Sequence, residues 1–222
     1  MAVNKDAYFE LTNELKQKNV TLIAVSKTKT VEDILALYEL GQRDFGENYV
    51  QELTEKQSRL PADIRWHFIG HLQTNKVKYI APFIHLMQSV DSVKLLSEIN
   101  KHAQKNNRII NCLLQVHIAQ EETKFGFDEN ELNDALNKLP DIRLQNVLIE
   151  GLMGMASFTD DMNKVRSEFK YLKSLFDKFR SLQTTNHKPQ TLSMGMSSDY
   201  KIAIEEGSNI VRVGSILFGA RT

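Results

Sequence analysis

Lys27 is the side chain with the clearest chemical potential in this 222-residue chain. It follows the apolar run Leu22-Ile23-Ala24-Val25 and Ser26, and precedes a helical pattern that opens at Thr30-Val31-Glu32-Asp33-Ile34. A short apolar run bounded in this way reads as a strand buried on both faces. Lys27 then stands at the strand's carboxyl end, the rim where parallel α/β folds gather their chemistry. A lysine held there partly out of water loses basicity, and its neutral amine can condense with an aldehyde to form a Schiff base. The competing reading is a solvated surface lysine, the usual fate of this residue type.

A second group of residues suits a phosphate. Met194-Gly195-Met196-Ser197-Ser198-Asp199 leads into a short helical pattern, and Val213-Gly214-Ser215 ends the last apolar run. Glycines let a phosphate approach the backbone, N–H groups at a helix start point at it, and serine hydroxyls add donors. A plain helix cap and a tight turn would use the same residues. Arg212 lies inside the apolar segment Ile210-Val211-Arg212-Val213. A buried arginine cannot shed its charge and needs a partner, either a structural carboxylate or a ligand. Gly214 and Ser215 beside it favour the ligand. Cys112, among Ile109, Ile110, Leu113 and Leu114, reads as a small buried hydrophobe. His67 and His71 bracket a strand end, while His85 and His117 read as core or strand-edge residues. With no carboxylate or cysteine at metal-ligand spacing, no metal site is expected.

The elements that must position these residues alternate along the chain. Strands are expected at 21–26, 43–48, 66–70, 83–90, 109–118, 147–154, 191–194 and 209–214. Helices are expected at 4–18, 31–40 and 49–58, from 74, from 91 or 92 to about 107, at 130–139 with a stop at Pro140, and at 160–182 and 198–206. Alternation argues for a parallel sheet, and eight units argue for a closed (β/α)8 TIM-type barrel with an extra N-terminal helix, one domain across 1–222. Such a barrel builds its site on the loops after the strands. Those loops supply Lys27, Glu47, Asn48, Gly70, His71, Ser89, Asp91, Lys124, Met155, Ser197, Gly214 and Ser215.

Twenty-eight basic and 28 acidic side chains balance to zero net charge, which argues against nucleic-acid or membrane-surface binding. One cysteine allows no internal disulfide, no apolar run is long enough to span a bilayer, and the first residues lack a signal-peptide core. A soluble cytoplasmic protein is expected, and a monomer, since no exposed apolar helix calls for a partner. An imine-forming lysine together with one phosphate cradle leaves two ligands open: pyridoxal phosphate, or a sugar phosphate handled by a Schiff-base aldolase.

Several stretches carry a resemblance. They are Ala24-Val25-Ser26-Lys27-Thr28, the run Asp44-Phe45-Gly46-Glu47-Asn48-Tyr49-Val50-Gln51-Glu52, and the run from Trp66 to Lys76. Lys124-Phe125-Gly126-Phe127, Gly151-Leu152-Met153-Gly154-Met155, Ser193 to Asp199 and Val211 to Gly214 follow in order. Over nearly its whole length the chain resembles the pyridoxal phosphate homeostasis proteins, whose domain is similar to the alanine racemase barrel, fold type III among pyridoxal phosphate proteins. The resemblance implies that Lys27 carries the cofactor as an internal aldimine. It implies that Ser197, Gly214 and Ser215 hold the phosphate beside Met196, that Arg212 faces the pyridine nitrogen, and that Asn48 lies near the ring hydroxyl. It further implies control of the level and delivery of the cofactor, with apo forms of pyridoxal phosphate enzymes as transient partners and no established turnover. Asn209, where the family more often shows threonine, is a departure. A weakly active amino-acid racemase is the alternative. Two features oppose it: an arginine at the pyridine nitrogen makes the ring a poorer electron sink, and a chain ending at Thr222 leaves no room for the racemase's second domain.

Overall fold

Short apolar runs separated by polar turns set the architecture. The computed structural model describes residues 3–119, 125–138, 144–182 and 189–219. Among the described residues eight strands form: β1 (Thr21–Val25), β2 (Asp44–Glu47), β3 (Arg65–Phe68), β4 (Leu86–Val90), β5 (Ile110–Val116), β6 (Val147–Gly154), β7 (Thr191–Ser193) and β8 (Ile210–Val213). Neighbours pair in parallel in chain order, and β1 joins β8 through Leu22↔Val211 and Ile23↔Arg212, which closes the barrel.

Around it run α1 (Lys5–Gln17), α2 (Val31–Glu39), α3 (Val50–Arg59), a 3₁₀ turn (Thr74–Lys76) leading into α4 (Val77–Ile80), α5 (Val93–Lys105), α6 (Glu129–Lys138), α7 (Met162–Ser181), α8 (Tyr200–Glu205) and α9 (Ser215–Phe218). Their starts follow from local chemistry. Thr30 and Asp33 form a reciprocal capping box on α2, and Asn4, Ser92 and Asp161 cap α1, α5 and α7. None of these helices is long and apolar enough to cross a membrane.

The apolar residues pack in two layers. The larger joins the outer face of the sheet to the helices, with Phe45, Phe68, Phe169 and Phe179 fully buried. The smaller, Ile23, Leu86, Leu113, Met153 and Ile210, comes from five strands on both sides of the barrel, β1, β4, β5, β6 and β8, and fills the lumen between them. The barrel is therefore plugged at its middle, and any small-molecule site must lie above the plug.

The observed boundaries differ from the sequence reading where packing overrides pattern. The fourth strand is expected from 83, but Ile84 N–H donates to Ile80 O, so that run closes α4 as a turn and pairing begins at Leu86. The turn α9 after β8 was not expected, and Leu217 O accepts from Asn4 N–H to tie it to the start of α1. The expected stop of α6 at Pro140 lies outside the described residues.

Candidate functional site

Lys27 lies in the turn after β1, and both of its neighbours are fixed from beneath. Ser26 Oγ donates to Glu47 Oε1 at 2.6 Å. Lys56 Nζ, from α3, donates to Ser26 O at 2.7 Å, to Glu47 Oε1 at 2.7 Å and to Glu52 Oε1 at 2.6 Å. Glu52 Oε1 also accepts from Thr28 N–H at 2.6 Å, and Thr28 holds a left-handed φ of +64°. One buried lysine and two carboxylates thus clamp the backbone on either side of Lys27. The sequence reading placed Glu47 in the mouth. The structure turns it outward, fully buried against α3, because Gly46 takes the inward position on this short strand. Burial pushes the Glu47 carboxyl up, against the pull of Lys56.

Above the plug is a cavity of about 500 Å³, in the range of small-molecule sites. The seven residues singled out as cofactor contacts all line it. Lys27 enters from β1 and Asn48 from β2, Met196 and Ser197 come from the loop after β7, Arg212 comes from within β8, and Gly214 and Ser215 follow it. Met155 lines it too. Gly70, His71, Ser89 and Asp91 do not. His71 instead pairs its Nδ1 with Asp91 Oδ2 at 2.9 Å and stacks on Phe125 at 3.8 Å, away from the cavity wall. Lys124 lies outside the described residues.

The phosphate-type loops are joined to each other. Gly214 N–H donates to Ser197 Oγ at 3.3 Å, and Met196 N–H donates to Asp199 Oδ1 at 2.5 Å. Gly195 has a φ of +96°, and a Cβ there would lie 2.5 Å from Ala203 Cβ, so only glycine lets this loop fold back onto α8. Ser215 and Ile216 begin α9 and line the cavity, and first-turn N–H groups have no acceptor within their own helix. The donor set is therefore two hydroxyls and backbone N–H groups at a helix start, which is a phosphate's preferred surroundings.

The same cavity holds polar groups beyond the phosphate-type loops. Asn48 Oδ1 is buried with no hydrogen-bond partner among the described residues. Such an acceptor calls for a donor from outside the protein, and a ring hydroxyl is a donor of that kind. A Cβ on Gly70 would run into the Asn48 backbone, so Gly70 contributes by letting β3's loop close on Asn48. Arg212 is 3% exposed and donates to Ser193 Oγ at 2.6 Å and to Gly154 O at 2.9 Å. Burial pushes its pKa down to about 10, which leaves it a cation at neutral pH. These groups fit an anionic pyridine aldehyde: an amine, a phosphate cradle, an orphan acceptor and a cation.

The fit has an independent counterpart in known proteins. The family model for the alanine racemase N-terminal domain matches residues 5–222. The pyridoxal phosphate homeostasis protein of Pasteurella multocida (strain Pm70) is 40% identical over 207 residues, covering 91% of this chain and 87% of the relative. The chain belongs to the pyridoxal phosphate homeostasis protein family. Structures of the family member PipY of Synechococcus elongatus PCC7942, without and with PLP bound, match with TM-scores of 0.90 and 0.86 at 35% and 34% identity, each covering 96% of this chain and 99% of PipY. Alanine racemase of Clostridium difficile 630 shares the barrel with a TM-score of 0.76 at 16% identity, over 99% of this chain and 58% of the racemase. That second likeness concerns the fold alone.

Against the family background, several features were not visible in the sequence. Lys29 also lines the cavity and donates to Phe218 O at 3.2 Å; its place two residues after Lys27 was the available signal. Phe158, 92% exposed at the lip, had none, since an aromatic in a loop reads as core or surface alike. Asn209 lies off the cavity wall: its Oδ1 accepts from Leu192 N–H at 2.8 Å and its Nδ2 donates to Gln190 O at 2.6 Å, latching the three-residue β7 to β8. At the far end of the barrel, ligand atoms of Asp44, His67 and His85 lie within 4.8 Å of one another. The sequence shows no carboxylate at metal-ligand spacing from these histidines; Asp44 reaches them in space from a separate strand, which sequence spacing could not reveal. Both Asp44 oxygens are taken by Arg65 and one also by His67, which makes the cluster an ion-pair network.

Proposed function

We propose that this chain holds pyridoxal 5'-phosphate in the mouth cavity and acts in cofactor homeostasis, keeping and releasing it in the cytoplasm for apo-enzymes that need it. The observation that carries the reading is the convergence of all seven candidate residues on one cavity whose donors and orphan acceptor match the cofactor group by group. Lys27 is the amine, held in place by the Lys56 clamp. Ser197 Oγ, Ser215 and the N–H groups at the start of α9 bind the phosphate. Asn48 Oδ1 accepts from the ring hydroxyl, and the Arg212 guanidinium lies toward the pyridine nitrogen. Bound here, the cofactor would supply an aldehyde for which the Lys27 amine would be the nucleophile, with one water lost on condensation. A cationic arginine at the ring nitrogen keeps a proton off it, so this protein stores the cofactor and does not use it as an electron sink.

Titrating the purified protein with pyridoxal phosphate tests the reading. A saturable change in the visible absorption at one equivalent is expected, with no racemisation of D- or L-alanine over many turnovers. No spectral change at any cofactor concentration would reject binding. Sustained racemisation would replace storage with the weak-racemase reading, and an imine trapped from a sugar phosphate alone would favour the aldolase.

A further inference from the structure

A polar thread runs down the barrel lumen from the cavity to the opposite end. Arg212 donates to Ser193 Oγ at 2.6 Å, and Ser193 Oγ donates to Gln88 Oε1 at 2.7 Å. Gln88 Nε2 meets His67 Nδ1 at 3.2 Å, and His67 Nε2 meets Asp44 Oδ1 at 3.0 Å. Arg65 Nε donates to the same Asp44 oxygen at 2.7 Å. Ser193 and Gln88 are fully buried, and His67 is 2% exposed. β7 and β4 are not neighbours in the barrel, so the Ser193–Gln88 bond crosses the lumen, alongside the apolar plug.

The direction of every hydrogen bond in the thread follows from its far end. Asp44, forked by Arg65, is a carboxylate and can only accept. His67 therefore donates from Nε2, and a neutral ring then accepts at Nδ1. Gln88 must then present its NH2 to His67 and its carbonyl oxygen to Ser193. The Ser193 proton is committed to Gln88, so its lone pair is turned to Arg212. With the ring neutral, reversing any one member would set two donors or two acceptors face to face in a site without solvent.

We propose that Gln88 and His67 are positioning residues for Arg212, fixing the plane of its guanidinium in the cavity wall through Ser193 although neither lines the cavity. The effect on cofactor affinity rests on the pyridoxal phosphate reading of the cavity; the effect on Arg212 does not.

The test separates the two. In cofactor-free protein, ¹⁵N NMR of the Arg212 guanidinium is compared for wild type, Gln88→Met, His67→Phe and the lumen control Met153→Leu. Distinct, slowly exchanging Nη protons are expected in wild type and Met153→Leu. They are expected to average in Gln88→Met and His67→Phe. Pyridoxal phosphate Kd is expected to rise about tenfold in both thread variants while Lys27 remains reducible with borohydride. Unchanged Arg212 signals in folded Gln88→Met and His67→Phe would overturn the proposal, as would the same averaging in Met153→Leu. Should the variants fail to fold, the wild-type His67 ring decides: ¹⁵N shifts of an Nε2–H tautomer support the proposal, and an Nδ1–H tautomer overturns it. Altered Arg212 signals with wild-type cofactor binding would leave the thread in place and reject the assignment of Arg212 to the cofactor.

Discussion

Ser197 does two things at once. Its hydroxyl accepts from Gly214 N–H, joining the loops after β7 and β8, and it lines the cavity at the proposed phosphate position. Ser197→Ala removes one donor to a dianion without opening the core, since this residue is only half-buried. A hydrogen bond to a charged group is worth about 1.5–3 kcal/mol, so pyridoxal phosphate Kd is expected to rise at least tenfold, with little change in Tm. Equilibrium dialysis checks the first and thermal melting the second. An unchanged Kd would move the phosphate elsewhere. Lys27→Ala belongs to the same scale: the turn's backbone is held by Ser26 and Thr28, so the variant should fold normally and lose the cofactor's visible absorption change.

At the scale of elements, α3 is the support on which the β1 turn rests. Lys56 is 5% exposed and satisfies Ser26 O, Glu47 and Glu52 together. Lys56→Met leaves the Glu47 carboxyl buried without its cation, a change that costs about 3–5 kcal/mol. Urea unfolding should show that loss, and adding Glu47→Leu to the same chain should recover part of it, because the orphaned charge is then gone. No loss in the single variant would mean that the clamp contributes nothing to the turn.

This clamp also marks the limit of what the sequence made legible. The mostly apolar strands β5, β6 and β8 were readable within a residue or two, and so was the carboxyl rim they define. Lys27, Arg212 and the serine–glycine turns were legible because chemistry-bearing residues interrupt or end such runs. Glu47 was not: on a four-residue strand buried throughout, alternation does not say which face is the lumen. The lumen thread was equally hidden, since its members lie on five different strands and meet only once the barrel closes.

For the whole molecule, closure of the ring places a charged network at its base that acts on stability. Burial alone would raise the Asp44 pKa, but hydrogen bonds from Arg65 and His67 outweigh it and hold the group at about 2. An unfolded aspartate titrates near 3.9. The folded carboxylate therefore contributes about 2 kcal/mol that is fully present above pH ~4 and disappears as the pH falls through ~2. Asp44→Asn should lower stability at neutral pH and flatten the decline between pH 4 and 2, as read from urea midpoints across that range. A parallel decline in both proteins would assign acid sensitivity to other groups.

The account depends most on Lys27 forming a covalent bond with the cofactor in the mouth of the barrel. Borohydride reduction of the protein mixed with pyridoxal phosphate, followed by peptide mass mapping, measures that bond directly. One phosphopyridoxyl group on Lys27, absent from Lys27→Ala, is the predicted result. A label spread over surface lysines with Lys27 unmodified would contradict it.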